Sequence, residues 1–240
     1  SKFVSNALKK GAKYIVSSQN IKKQKNKTIK VKNEIKFLNK YASKKREKTR
    51  AKIIAVTGSA GKTSLKNLIK DLLNNFGKTL CSPKSYNNHF GVPLSLSQLK
   101  IEHKFGVFEV GMSKKGEIDK LTKLIRPHFG IITNIGEAHI ENFKNLRGIA
   151  DAKGEIIQNI EKGGTIILNR DDEYFVNLEK KAKKNNLKIV TFGISKNSNV
   201  QLVSKSKKRD QELLTIKIKE KILKVKIKNI NFYNVLSSLA

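Results

Sequence analysis

The sequence predicts an α/β protein: a doubly wound, mostly parallel sheet with a phosphate-binding loop and a small β-hairpin extension near the C-terminus. Three observations predict it. Short apolar runs alternate with helically spaced segments from Ile53 to Phe192, the rhythm of linked βαβ units. A glycine-containing segment, Thr57–Ser64, lies where the first of those runs meets a helix. After Asn199 the pattern changes to alternating apolar and charged residues, as in paired strands with one solvated face.

The elements follow in order. Residues 3–10 (FVSNALKK) predict a short helix that Gly11 ends, and Lys13–Val16 predicts a strand. Lys22–Lys30 reads as a polar, lysine-rich loop. Val31–Arg50 has apolar residues at 31, 35, 38 and 41–42, which suits a helix leading into a new unit. Ile53–Val56 is continuously apolar, as in a parallel strand buried on both faces. Leu65, Leu68, Ile69, Leu72, Leu73 and Phe76 give Ser64–Phe76 a helical stripe that Gly77 terminates. Further strands are expected at Thr79–Cys81, Phe105–Val110, Phe129–Thr133, Thr165–Leu168 and Lys188–Phe192. Helices are expected at Val92–Leu99, Gly116–Ile125, Leu146–Ile160 and Asp172–Asn185, the last with Asp172 as its N-cap. Leu213–Ile218 and Ile222–Ile227 form the expected hairpin around Lys219–Lys221.

The chain has 240 residues, and its 51 Lys+Arg against 19 Asp+Glu give a net charge of +32. Only six of those basic residues are Arg, whereas nucleic-acid readers favour Arg for bidentate contacts. The acids are scarce at the start of the chain: residues 1–50 hold 2, against 9 in the motif-bearing residues 51–160 and 8 in residues 161–240. We therefore read the charge as a lysine-rich solvated surface and expect no specific nucleic-acid partner. No run of 18 apolar residues predicts a membrane span. A single Cys81 excludes an internal disulfide framework. The start at Ser1 and the stop at Ala240, inside an apolar pattern, suggest a fragment.

The strongest motif is Thr57-Gly58-Ser59-Ala60-Gly61-Lys62-Thr63-Ser64. Glycines let the backbone curl around an anion, and the helix N-terminus adds positive partial charge. Lys62 can reach the β- and γ-phosphates, and the Thr63 hydroxyl can bind Mg²⁺. The loop is the T-G-x-x-G-K-[ST] variant, since Val56 stands where the commoner P-loop pattern has Gly. Glu109 ends an apolar run, where doubly wound folds place ligands; by residue type alone it is also an ordinary strand-end carboxylate. Asn87 and Asn88 precede a helix start and read either as amide donors to a ligand or as an Asn-rich turn.

The loop variant resembles that of the Mur ligases and folylpolyglutamate synthases, ATP-dependent amide-forming enzymes. Tyr86-Asn87-Asn88-His89-Phe90-Gly91-Val92-Pro93-Leu94, Phe108-Glu109-Val110-Gly111-Met112, Asn134–Glu141 and Ala152-Lys153-Gly154-Glu155-Ile156 resemble Mur ligase segments in order and spacing. The resemblance implies ATP and Mg²⁺ as cofactors. It implies a cytoplasmic, monomeric ligase of peptidoglycan synthesis, with UDP-muramoyl-tripeptide and D-alanyl-D-alanine as substrates. Other Mur ligases, folylpolyglutamate synthases and a non-enzymatic P-loop module are the alternatives. Thr63, Glu109, His139 and Lys153 would be Mg²⁺ ligands, Lys153 as a carbamate. Lys62, His139 and Lys153 would serve catalysis. Thr57–Ser64, Asn87 and Asn88 would hold the nucleotide, and Asn234 would lie near adenine. Two departures from the family pattern flank that last residue, Tyr233 for His and Ser237 for Asn. Residues 1–48 would end a UDP-substrate-binding domain and its linker helix. Residues 49–240 would be the central ATP-binding domain. An amine-binding C-terminal domain would be absent, leaving the fragment inactive alone.

Overall fold

The computed structural model describes residues 2–208 and 211–228. The chain opens with helix α1 (Lys2–Lys9), then β1 (Ile15–Ser17), a 3-10 turn and β2 (Thr28–Lys30). β1 and β2 pair in parallel, Val16 opposite Ile29. The expected loop at 22–30 therefore ends in a strand: β-branched Thr28 and Ile29 suit the pleat, a signal hidden by the surrounding lysines. Helix α2 (Glu34–Lys48) follows, and Asn33 caps it by accepting from the Lys36 N–H.

The main sheet contains β3 (Lys52–Thr57), β4 (Thr79–Cys81), β5 (Phe105–Glu109), β6 (Phe129–Ile132), β7 (Thr165–Asn169), β8 (Lys188–Gly193), β9 (Val200–Lys208), β10 (Gln211–Ile218) and β11 (Lys221–Lys228). Their spatial order is β11-β10-β9-β8-β7-β6-β3-β5-β4. Strands β4 to β8 and β3 are parallel to their neighbours, and β8 also pairs in parallel with the start of β9. β9, β10 and β11 are antiparallel. The expected hairpin is thus two strands of a three-stranded extension whose first member, β9, the sequence reading lacked.

Helices α3 (Lys62–Leu73), α4 (Gly91–Ser97), α5 (Glu117–Ile125), α6 (Leu146–Lys153) and α7 (Phe175–Lys184) connect the parallel strands. Successive residues of β3 face opposite sides of the sheet. Ile53 and Ala55 join the larger core with Val92, Phe108, Ile118 and Ile156. Ile54 and Val56 join Leu65 and Val107 on the other face. Fully burying a side chain such as Ile53 stabilises the fold by roughly 1.5–3 kcal/mol.

Two expected helices are altered. Leu146–Ile160 is α6 followed by a 3-10 segment, Gly154–Asn159. The change of pitch accompanies buried Glu155, whose carboxylate accepts from the N–H groups of Gly116 (2.7 Å) and Asp119 (3.0 Å) at the start of α5. The second begins at Phe175, with Tyr174 as its N-cap residue. Asp172 instead accepts from the N–H groups of Tyr174 (3.0 Å) and Ile135 (2.7 Å), tying the turn to the segment after β6. The boundary expected at 48/49 falls at the end of α2, which packs on α4 and α5. There Arg46 is buried and donates to the carbonyls of Ile125 (2.7 Å) and Arg126 (2.6 Å).

Candidate functional site

Strand β3 lies between β5 and β6, so the chain switches sides of the sheet at the C-terminal end of β3. That crevice is where doubly wound sheets bind ligands. The loop from Gly58 to Gly61 crosses it with left-handed backbone at both glycines, φ 144° and 79°. A Cβ on Gly58 would stand 1.9 Å from Thr133 Oγ1, so only glycine fits there.

The loop is held from β6. Asn134 Oδ1 accepts from the N–H groups of Ser59 (3.1 Å) and Ala60 (2.9 Å). Thr133 Oγ1 donates to the Ala60 carbonyl at 2.6 Å, and Ser59 Oγ pairs with both the N–H and the carbonyl of Gly136. Gly61 gives α3 no side-chain cap, leaving its first-turn amides as the donors an anion would meet. Lys62 Nζ donates back to the carbonyls of Gly58 (2.7 Å) and Ser59 (3.3 Å). Burial lowers its pKa, against a weaker opposing effect of Glu109. Thr57 Oγ1 is buried without a partner among the described residues. Ser64 is exposed beside the loop.

Glu109 ends β5 and is buried. Its Oε2 accepts from Thr63 Oγ1 at 2.7 Å and its Oε1 from Asn87 Nδ2 at 2.8 Å. Among the described residues, no three His, Cys, Asp or Glu side chains form a metal cage. A carboxylate and a hydroxyl meeting at one point nevertheless suit Mg²⁺, a hard cation that keeps waters and phosphate oxygens as further ligands. Asn88 Oδ1 caps the start of α4, accepting from Phe90 and Gly91 N–H, so its amide N–H groups are what remain for a ligand.

Lys153 and His139 line a cleft of about 420 Å³ with Gly58, Lys62, Asn87 and Asn88. Lys153 is only 3% exposed, and no hydrogen bond or ion pair among the described residues holds its ammonium. Burial, then the neighbouring charge of Lys62, pushes its pKa down to about 7. His139 is exposed, with left-handed backbone at φ 65°. Its Nδ1 is 3.9 Å from Glu141 Oε1. The expected site residues thus line two clefts that share Lys62 and Asn87, one with Gly58, Asn88, His139 and Lys153 and the other with Ser59–Ser64 and Glu109; Thr57 is buried at the end of β3, and Asn234 lies outside the described residues. The sequence reading missed Thr133 and Asn134 as the loop's support. Their signal was a polar pair ending an apolar strand. It also missed Lys66, buried against Glu109.

These features define a P-loop α/β domain with a carboxylate and a buried lysine facing its phosphate loop. Residues 56–240 match the Mur ligase middle domain, and the chain belongs to that family. It is 41% identical over 194 residues to the UDP-N-acetylmuramoyl-tripeptide–D-alanyl-D-alanine ligase of Buchnera aphidicola from Acyrthosiphon pisum, covering 81% of this chain and 42% of that protein. It is 33% identical to the ligase of the same name from Rickettsia prowazekii, covering 94% of this chain and 51% of that one. A crystal structure of MurF from Acinetobacter baumannii superposes with TM-score 0.88 at 27% identity, covering 99% of this chain and 52% of that one. The MurF ligase of Thermotoga maritima, solved in complex with ADP, shares the fold with TM-score 0.86 at 24% identity, covering 100% of this chain and 55% of that one. The chain thus spans about half the length of the relatives it matches. No helix among the described residues is long and apolar enough to cross a membrane.

Proposed function

We propose that this chain is the ATP-binding part of a cytoplasmic, ADP-forming ligase that joins D-alanyl-D-alanine to UDP-muramoyl-tripeptide in peptidoglycan synthesis. The observation that carries the reading is the phosphate loop set between two clefts that share Lys62 and Asn87, one lined by Glu109 and the other by Lys153. The substrates are those of the ligases for which its relatives are named. Residues 1–48 are assigned to the end of a preceding UDP-substrate domain, and residues 49–240 to the ATP-binding domain.

Moving a γ-phosphoryl group to a carboxylate brings anion to anion, so catalysis is mainly charge neutralisation and positioning. Lys62 exchanges its loop carbonyls for the β- and γ-phosphates, and the first-turn amides of α3 hold the same group. Thr63 and Glu109 would hold Mg²⁺, carbamylated Lys153 would ligate Mg²⁺ through its new carboxylate, and His139 would be the imidazole ligand of a second Mg²⁺. Bound there, Mg²⁺ neutralises charge on the nucleotide phosphates. Asn87 and Asn88 orient the γ-phosphate or the substrate carboxylate through amide N–H groups, and Asn234 lies near adenine. The tripeptide carboxylate attacks the γ-phosphorus and ADP leaves. The dipeptide amine then attacks the acyl phosphate carbon and phosphate leaves.

The test is product analysis with the full-length protein, MgATP and UDP-muramoyl-tripeptide. D-alanyl-D-alanine should yield UDP-muramoyl-pentapeptide by mass spectrometry with matching phosphate release. Addition of a diamino acid to the dipeptide precursor, or of glutamate to a folate, would reassign it to a sister enzyme. Nucleotide binding without turnover on any of them would make it a non-enzymatic module.

A further inference from the structure

We propose that Lys66 is a positioning residue: its buried ammonium locks Glu109 and the Ser82–Asn87 loop into the geometry that Mg²⁺-dependent nucleotide binding needs. The inference rests on the nucleotide-site reading above.

Among the described residues only Lys66 and Lys153 are buried lysines, and Lys66 is fully so. A buried ammonium is costly unless its N–H groups are partnered. Lys66 lies one turn beyond Thr63 on α3, on the side facing β5. It donates to the carbonyls of Ser82 (2.8 Å) and Lys84 and lies 3.6 Å from Glu109 Oε2. Lys84 has left-handed backbone, φ 45°, which a non-glycine residue keeps only where its surroundings hold it. Lys66 grips that residue's carbonyl.

The loop is also tied to the site from its other side. Ser82 Oγ accepts from the Glu109 N–H at 3.2 Å. Farther along, Asn87 donates to Glu109 Oε1, and its carbonyl accepts from the Gly111 N–H. Lys66 therefore closes a ring through α3, the loop and β5. Remove its donors and two carbonyls and a carboxylate lose their buried partner. Asn87 and Glu109 are then free to shift relative to Thr63. The phosphate loop itself is held by a separate hydrogen-bond set, anchored on Thr133 and Asn134. Loss of Lys66 should thus separate Mg²⁺-dependent from Mg²⁺-independent binding.

The experiment is calorimetric ATP binding by full-length Lys66→Met and Lys66→Gln proteins, with and without Mg²⁺, beside thermal denaturation. In Lys66→Met, Mg²⁺-free affinity should stay within threefold of wild type, while the affinity gained from Mg²⁺ falls at least tenfold. Lys66→Gln, which keeps a donor, should lose less. Adding Lys66→Met to Glu109→Gln should cost little beyond Glu109→Gln alone. A wild-type protein that gains nothing from Mg²⁺ would refute the nucleotide reading itself. A normal Mg²⁺ gain in a less stable Lys66→Met, or failure of both variants to fold, would make Lys66 merely structural and overturn the proposal.

Discussion

Lys153 should take up carbon dioxide near neutral pH, and Lys153→Ala should lose most ligase activity. Burial and the charge of Lys62 bring the Lys153 pKa from 10.5 to about 7. At pH 7 about half of these side chains are then neutral, against about 1 in 3000 for an ordinary lysine. Only the neutral amine has the lone pair that attacks carbon dioxide. The N–C bond forms, one proton leaves, and a group that repels Mg²⁺ becomes one with two hard oxygens. The same shift makes stability pH-dependent. Between pH 7 and 10.5 the unfolded chain binds more protons at this site, so stability rises with pH across that window. At pH 7, in carbon-dioxide-free buffer, the shift corresponds to about 5 kcal/mol as an upper estimate. Lys153→Met should therefore be more stable than wild type there, with the difference shrinking toward pH 10.5. The assay is carbon-13 NMR after equilibration with labelled bicarbonate, beside ligase rates. Wild type should show a carbamate signal that Lys153→Ala lacks. The variant should lose at least tenfold in rate, and a short carboxylic acid should restore part of it. Full activity of Lys153→Ala in carbon-dioxide-free buffer, with no carbamate in wild type, would refute the reasoning.

Lys62→Ala should weaken nucleotide binding at least tenfold by calorimetry, because a charge-assisted phosphate contact contributes about 1.5–3 kcal/mol; unchanged affinity would remove the loop from the site. Gly58→Ala should cost at least about 2 kcal/mol in urea denaturation, from overpacking against Thr133 and strain at φ 144°. A midpoint equal to wild type would mean that the loop tolerates a Cβ. Arg46→Met should cost about 2–4 kcal/mol by leaving the Ile125 and Arg126 carbonyls without their charged donor. A loss under about 0.5 kcal/mol would show that α2 docks without it.

The parallel half of the sheet was legible because its strands are buried on both faces. Ile53–Val56 stands out as an apolar run, and the glycine loop follows it directly. Short or half-exposed pieces were not. β2 is three residues in a lysine-rich stretch, and β9 carries no apolar run long enough to mark it. The 3-10 segment after Lys153 keeps an apolar pattern close to that of a continued helix. What changes there is a long-range contact of Glu155. Motif residues Lys62, Glu109 and Lys153 were legible through spacing and resemblance. Lys66 was not: in a lysine-rich sequence nothing local separates this fully buried lysine from those on the surface. Burial is decided by packing against a loop 16–18 residues away.

The phosphate loop's own anchors lie 73–77 residues further along the chain, at Thr133, Asn134 and Gly136. Its strand also pairs with β5 and β6, both synthesised later. An isolated peptide covering β3 and α3 therefore contains the whole motif yet none of its scaffold. As the chain emerges from the ribosome, the loop stays unsupported until β6 has left the exit tunnel and closed a long-range contact. Such closure is the slow step in parallel sheets. The signature that is most local in the sequence thus depends on distant residues for its working shape.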